Sequence, residues 1–275
     1  MNNPKTILIT GCSSGIGAAL AQEFHKRGHR VIATARRLES LQALQSQGVR
    51  TLALDVNDGA SIANAMAAVE KEAGHLDILI NNAGYGQFGA IMDAQPEDLR
   101  QQFETNVVAP VALARAALPL LRKSGAGLIA NMGSISGIVT TPFSGVYCAS
   151  KAALHALSDA MRLELAALGV QVVTVQPGGV ASKFGDTGTA HARLPKDSLY
   201  TPISRYILNR AKLSQRGATP VDVFARDVVD HLLQSAPPAI CRTGAQSTRL
   251  PLLKRLLSTR TLDRKLQKMF GLDQL

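Results

Sequence analysis

Tryptophan is absent from this chain of 275 residues, and aromatic residues make up only 4% of it. Leu, Val, Ile and Ala must therefore fill any core. Cysteine is also scarce. Cys12, Cys148 and Cys241 are too few and too far apart for a disulfide framework or a thiolate metal site, so a reducing cytoplasm is the simplest setting. No apolar run approaches the roughly 20 residues that cross a bilayer, and Met1–Thr10 lacks the basic region and long apolar stretch of a secretory signal. Charged residues are only 18%, against 46% hydrophobic, which excludes a disordered chain, a collagen-like repeat or a coiled coil. No internal repeat, low-complexity tract or linker is found, so one domain over residues 1–275 is expected.

The net charge of +10 invites a nucleic-acid reading, but its distribution argues against one. Residues 242–275 hold a net +6, leaving +4 for the other 241. The excess belongs to a basic stretch near residues 249–275, not to a stripe through the main body, and no nucleic-acid-reading motif is recognisable. There Leu262, Leu266, Met269 and Phe270 share one helical face, with Arg264, Lys265 and Lys268 on the other. Such an amphipathic extension lies on an anionic bilayer as a peripheral contact, or packs its leucines on the domain or a partner subunit.

Short apolar runs alternate with segments of helical period. Lys5–Thr10, Arg30–Ala35, Arg50–Leu54, Asp77–Asn81, Leu128–Met132, Val170–Gln176 and Ala239–Arg242 read as strands. Gly15–Arg27, Leu38–Gln47, Asp58–Ala73, Pro96–Leu121, Val146–Leu168 and Pro220–Gln234 read as helices. This order predicts an α/β fold: one doubly wound, Rossmann-type domain with a parallel sheet of about seven strands and helices on both faces. Residues 183–219, rich in Gly, Thr, Ser and Pro, read as a substrate loop or lid, with one amphipathic stretch at Ile203, Tyr206, Ile207 and Ala211. Phe184, Leu199, Tyr200, Ile203, Tyr206 and Ile207 either form its apolar wall or pack the loop onto the domain.

The first strand runs into Thr10-Gly11-Cys12-Ser13-Ser14-Gly15-Ile16-Gly17 and then a helix. Glycines at such a turn admit a pyrophosphate close to the backbone, and the helix N-terminus supplies unpaired N–H donors. The second strand ends at Ala35-Arg36-Arg37 with no carboxylate for ribose hydroxyls. A guanidinium there suits a 2′-phosphate, so NADP(H) is favoured over NAD(H). Asp55, with Val56, closes the third strand, as an adenine contact or as a turn-forming Asp. Asn81-Asn82-Ala83-Gly84 closes the fourth and leaves room for a ring system. Tyr147 and Lys151 lie four apart on one helical face, where an ammonium favours the ionised phenol. His25 and His29 have no carboxylate or Cys to complete a metal set.

Thr10–Gly17, Asn81–Gly84, Asn106, Ser134, Tyr147/Lys151 and Pro177-Gly178, in this order and spacing, closely resemble the short-chain dehydrogenase/reductase family. The resemblance runs from residue 5 to about 182 and is most similar to the hydroxysteroid- and retinol-dehydrogenase-like branch. It implies Tyr147 as general acid or base, Lys151 lowering its pKa and holding the nicotinamide ribose, and Ser134 on the substrate oxygen. Asn106 is implied to hold a relay water at a helix irregularity. Gly11, Ser13, Ser14, Gly15, Ile16, Gly17, Arg36, Asp55, Val56, Asn82, Ala83, Gly84, Tyr147, Lys151, Pro177, Gly178, Val180 and Ser182 are implied cofactor contacts, Ser182 standing where the family usually has Thr. The reading is an NADP(H)-dependent oxidoreductase acting on an apolar ketone or aldehyde and its alcohol, as a homodimer or homotetramer through the helices around Pro96–Leu121 and Val146–Leu168. A non-catalytic NADP(H)-sensing regulator is the alternative; it has no need of Ser134, Tyr147 and Lys151 together.

Overall fold

Ile7 and Ile9 face one side of the first strand and Leu8 the other, and all three are fully buried. Apolar residues on both faces require layers on both faces. The computed structural model, which describes residues 4–182, 184, 185, 188, 192–213 and 215–275, supplies them. Its strands are β1 (Thr6–Ile9), β2 (Arg30–Ala35), β3 (Arg50–Ala53), β4 (Ile78–Asn81), β5 (Leu128–Met132), β6 (Gln171–Pro177) and β7 (Ile240–Thr243). They form one parallel sheet in the order β3-β2-β1-β4-β5-β6-β7. Winding reverses between β1 and β4, which opens a crevice beyond their carboxyl ends.

The helices in chain order are α1 (Gly15–Lys26), α2 (Gln42–Gln45), α3 (Gly59–Ala73), α4 (Pro96–Phe103), α5 (Ala109–Lys123), α6 (Gly145–Ala166), α7 (Ser204–Leu213), α8 (Val221–Leu232), α9 (Arg249–Leu256) and α10 (Thr259–Met269). Leu20 and Phe24 of α1 meet Phe224 and Val228 of α8 over Ile7, Ile9 and Val175. On the other face Ile62 and Val69 of α3 and Leu113 and Ala117 of α5 cover Leu8, Leu79 and Ile129. Each fully buried Phe, such as Phe24 or Phe224, contributes about 2–3 kcal/mol by leaving water.

Three expected elements differ. The single helix over Pro96–Leu121 is broken by a π turn, Glu104–Val108, where the Ala109 N–H reaches back to the Glu104 carbonyl. Pro110 has no N–H to offer the Asn106 carbonyl four residues earlier, so a regular α-turn is not available there. The helix over Leu38–Gln47 is a 3-10 turn, Leu38–Leu41, leading into the one-turn α2. The Ser40 hydroxyl donates to the Arg37 carbonyl at 2.6 Å, competing with the helical pattern. The basic extension is two helices, with Ser258 capping α10 through the Thr261 N–H at 3.3 Å.

A third apolar cluster joins this extension to the loop after β6. Ala90, Phe143, Ile203, Ile207 and Phe270 are buried together, with Leu194, Tyr200, Tyr206, Leu266 and Leu272 against them. Leu266 and Phe270, two of the four residues on the apolar face, therefore pack on the domain. Of the six residues expected as a lid or as loop packing, Tyr200, Ile203, Tyr206 and Ile207 pack, Leu199 is exposed, and Phe184 alone lines the cleft. Residues 183, 186, 187, 189–191 and 214 of that segment lie outside the described residues. Among the described residues no helix is long and apolar enough to cross a membrane.

Candidate active site

At the carboxyl ends of β1 and β4 lies a cleft of about 950 Å³. Its floor is a clamp between two loops. The Thr10 hydroxyl accepts from the backbone N–H groups of Asn82 (3.0 Å) and Ala83 (2.9 Å). The Asn82 amide donates to the carbonyls of Thr10 (2.8 Å) and Gly11 (3.1 Å). Nothing larger than hydrogen fits inside. A Cβ on Gly17 would stand 2.4 Å from the Gly11 carbonyl oxygen and 2.5 Å from Asn82 Nδ2. Gly11 has φ +72°, and a Cβ there would meet Ala83 Cα at 2.8 Å. The first turn of α1 holds no acidic side chain, and the Ser14 hydroxyl at its N-cap is not spent on capping. Ser13, Gly15, Ile16, Ala83 and Gly84 also line this end, so the cradle fits a dinucleotide pyrophosphate.

Arg36, one residue past β2, borders the cleft and is exposed; Arg37 does not line it. Asp55 and Val56 line it beside Leu54. Asp55 Oδ1 also accepts from the Asn57 N–H at 3.0 Å, so the turn role is present along with the cleft position. The helix cap is Asp58, which accepts from Ala60 and Ser61. Pro177, Gly178, Val180 and Ser182 line the far side. Ser182 crosses to α1, since a Cβ on Gly15 would lie 3.3 Å from its own Cβ.

Tyr147, Lys151 and His155 sit four apart on α6 and face the loop after β5. The Ser134 hydroxyl faces the Tyr147 phenol and accepts from the Ser136 N–H at 3.0 Å. His155 Nε2 accepts from the Ser134 N–H at 3.3 Å, and its pKa is pulled down to about 4 by burial and by the Lys151 ammonium. It is thus a neutral brace behind the serine. The Phe184 and Phe88 rings stand 5.4 and 6.3 Å from the Tyr147 ring. Burial in this aromatic wall pushes the phenol up to about 12, outweighing the Ser134 hydroxyl and the Arg210 charge that lower it.

Lys151 follows one turn along α6 and is buried beside the phenol. Its ammonium donates to the Met132 carbonyl at 2.7 Å and lies 5.9 Å from the Tyr147 ring centre. Burial pulls its own pKa down to about 8. Asn106 sits in the π turn as expected, but its side chain is committed to structure. Oδ1 accepts from the Tyr85 N–H, and Nδ2 donates to the Tyr85 carbonyl (3.0 Å) and the Ser150 hydroxyl (3.1 Å).

The sequence reading missed Thr10 as a clamp, His155, Arg210 and the share of the basic extension in the apolar wall. His155 repeats the Tyr147–Lys151 spacing once more, and Arg210 lies seven residues from Ile203 on the apolar side of α7; both signals were available. Leu250, Leu253, Leu262, Leu266, Met269 and Phe270 of the basic extension line the cleft.

The family model described as short chain dehydrogenase matches residues 5–192. Short-chain dehydrogenase cctT of Talaromyces islandicus is 37% identical over 276 residues, covering 98% of this chain and 97% of its own. An NADPH-dependent 1-acyldihydroxyacetone phosphate reductase of Schizosaccharomyces pombe is 38% identical over 249 residues, covering 89% and 81%. A solved short-chain dehydrogenase from Streptomyces avermitilis superposes with a TM-score of 0.80 at 28% identity, covering 100% of this chain and 98% of that one. With a parallel sheet, a dinucleotide cradle at its switch point and a Ser–Tyr–Lys constellation beside it, this chain belongs to the short-chain dehydrogenase family and is an oxidoreductase.

Proposed function

We propose that this chain reduces the carbonyl of an apolar, lipid-like ketone or aldehyde with NADPH. The observation that carries the reading is the Tyr147 phenol, facing Ser134 in a cleft that Arg36 also borders. A bound nicotinamide supplies the hydride. Ser134 holds the substrate oxygen and Tyr147 gives it a proton. A phenol near 12 is fully protonated at neutral pH, the state that reduction requires. Lys151 holds the nicotinamide ribose, and its charge stabilises the phenolate left after transfer. With its side chain engaged, Asn106 serves a relay water through its backbone carbonyl. Gly11–Gly17 cradle the pyrophosphate, Arg36 takes the 2′-phosphate, Asp55 and Val56 take the adenine, and Pro177, Gly178, Val180 and Ser182 flank the nicotinamide.

The Schizosaccharomyces pombe relative, named as NADPH-dependent, supports this cofactor preference. The free, buried Cys12, Cys148 and Cys241 go with a reducing cytoplasm. Exposed Leu99, Val108, Leu157 and Leu163 on α4 to α6 support pairing of two copies there. Exposed Leu252 and Leu256 among the Lys and Arg of α9 support a peripheral membrane contact beside the cleft.

NADPH oxidation over a panel of apolar ketones and aldehydes tests the reading. Turnover that falls about 100- to 10,000-fold in Tyr147→Phe, with NADPH affinity lost in Arg36→Ala and NADH affinity kept, is expected. NADPH binding without turnover of any carbonyl would overturn it.

A further inference from the structure

Arg210 is a cation with no evident reason to be where it is. It projects from α7, is only 9% exposed, and lines the same end of the cleft as Tyr147 and Ser134. An Arg remains charged in any protein environment. Burial works against that charge, and the groups facing it are the Tyr147 phenol and the Cys148 thiol. Among the described residues no carboxylate pairs with it.

What holds it is neutral. Nε and Nη2 donate to the Thr141 hydroxyl at 3.2 and 2.6 Å, and Nη2 donates to the Ser144 hydroxyl at 3.0 Å. The guanidinium carbon lies 5.5 Å from the Phe88 ring centre and 5.8 Å from that of Phe270. These contacts fix the plane of the fork and use three of its five N–H donors. The two on Nη1 have no acceptor among the described residues. A buried cation so oriented and lacking a counter-ion costs stability unless something completes it. Its position in the cleft makes the substrate that partner.

We propose that Arg210 anchors an anionic oxyacid group, carboxylate or phosphate, on the substrate, close to the carbonyl that Tyr147 and Ser134 receive. The substrate is then an acidic amphiphile. Its carbonyl lies at Tyr147, its anion at Arg210 and its hydrocarbon under Leu253, Leu262, Leu266 and Met269. This rests on the carbonyl site proposed above, so the test reads anion binding separately from turnover.

Calorimetry with the full chain and three probes of equal chain length, octanoate, octyl phosphate and octanol, measures the preference directly. Wild type is expected to bind at least one anion about 10- to 100-fold more tightly than octanol, the range of a charge-assisted hydrogen bond. Carboxylate and phosphate arms distinguish the two sources. Arg210→Gln is expected to erase the preference and Arg210→Lys to retain part of it, which keeps the test open if the Gln variant folds poorly. Lys265→Gln with Lys268→Gln, on the exposed face of α10, is expected to leave the preference intact. Equal affinity for anion and alcohol in wild type, or a preference that survives Arg210→Gln or vanishes with the α10 variant, overturns the proposal. NADPH turnover of matched keto acids and their methyl esters then reports on the reductase reading. Absent turnover with an intact anion preference counts against that reading alone.

Discussion

Lys151 should make the folded protein less stable at neutral pH than it needs to be. Its ammonium is 6% exposed, bonded to the Met132 carbonyl, and paired with no carboxylate among the described residues. Burial takes its pKa from 10.5 to about 8, a fall that corresponds to about 3 kcal/mol of folding free energy. Below pH 8 both folded and unfolded chains carry the proton and the cost is complete. Between 8 and 10.5 the unfolded chain holds more of it, so stability from this group rises with pH; above 10.5 both are neutral and the cost is gone. Urea unfolding of wild type and Lys151→Met at pH 7, 9 and 10.5, followed by circular dichroism, isolates this group because other titrations are shared. Lys151→Met is expected to be at least as stable as wild type at pH 7 and to lose that advantage by about 3 kcal/mol at pH 10.5. A difference between the two that does not change with pH would refute the argument.

Gly17→Ala forces its new methyl into the Gly11 carbonyl and the Asn82 amide, so NADPH affinity by fluorescence titration should fall at least about tenfold, with a stability loss of about 1–3 kcal/mol. Leu163→Glu on α6 should shift light-scattering mass toward a single copy if α4 to α6 carry the pairing. Leu252→Asp with Leu256→Asp should abolish flotation with anionic liposomes, while neutral liposomes float neither form.

The sheet and the cofactor end were legible because each rests on local rules. Buried parallel strands read as unbroken apolar runs, and Gly11, Gly15 and Gly17 mark a turn that only glycine can make. Tyr147 and Lys151 were legible from helical spacing. The direct contact of Phe88 and Phe184 with the phenol ring was not, since both reach it from loops distant in sequence. Arg210 was hidden for a related reason. An Arg on the apolar side of an amphipathic helix reads as a break in the pattern until Thr141, Ser144 and Phe270 are seen around it. The face of α10 was legible too, but its destination over the cleft depends on how Phe270 meets Phe143 and Ile207.

The third apolar cluster divides the labour of the chain. Residues that would seat the cofactor and move the proton all lie between Gly11 and Ser182, within the stretch that the family model matches. The surfaces around Ile207, Arg210, Leu266 and Phe270 lie beyond it. Natural variation can therefore rewrite which molecule is received without touching the oxidoreductase machinery, and a recombined chain joined between residues 192 and 203 is a direct route to enzymes of new taste on an old engine.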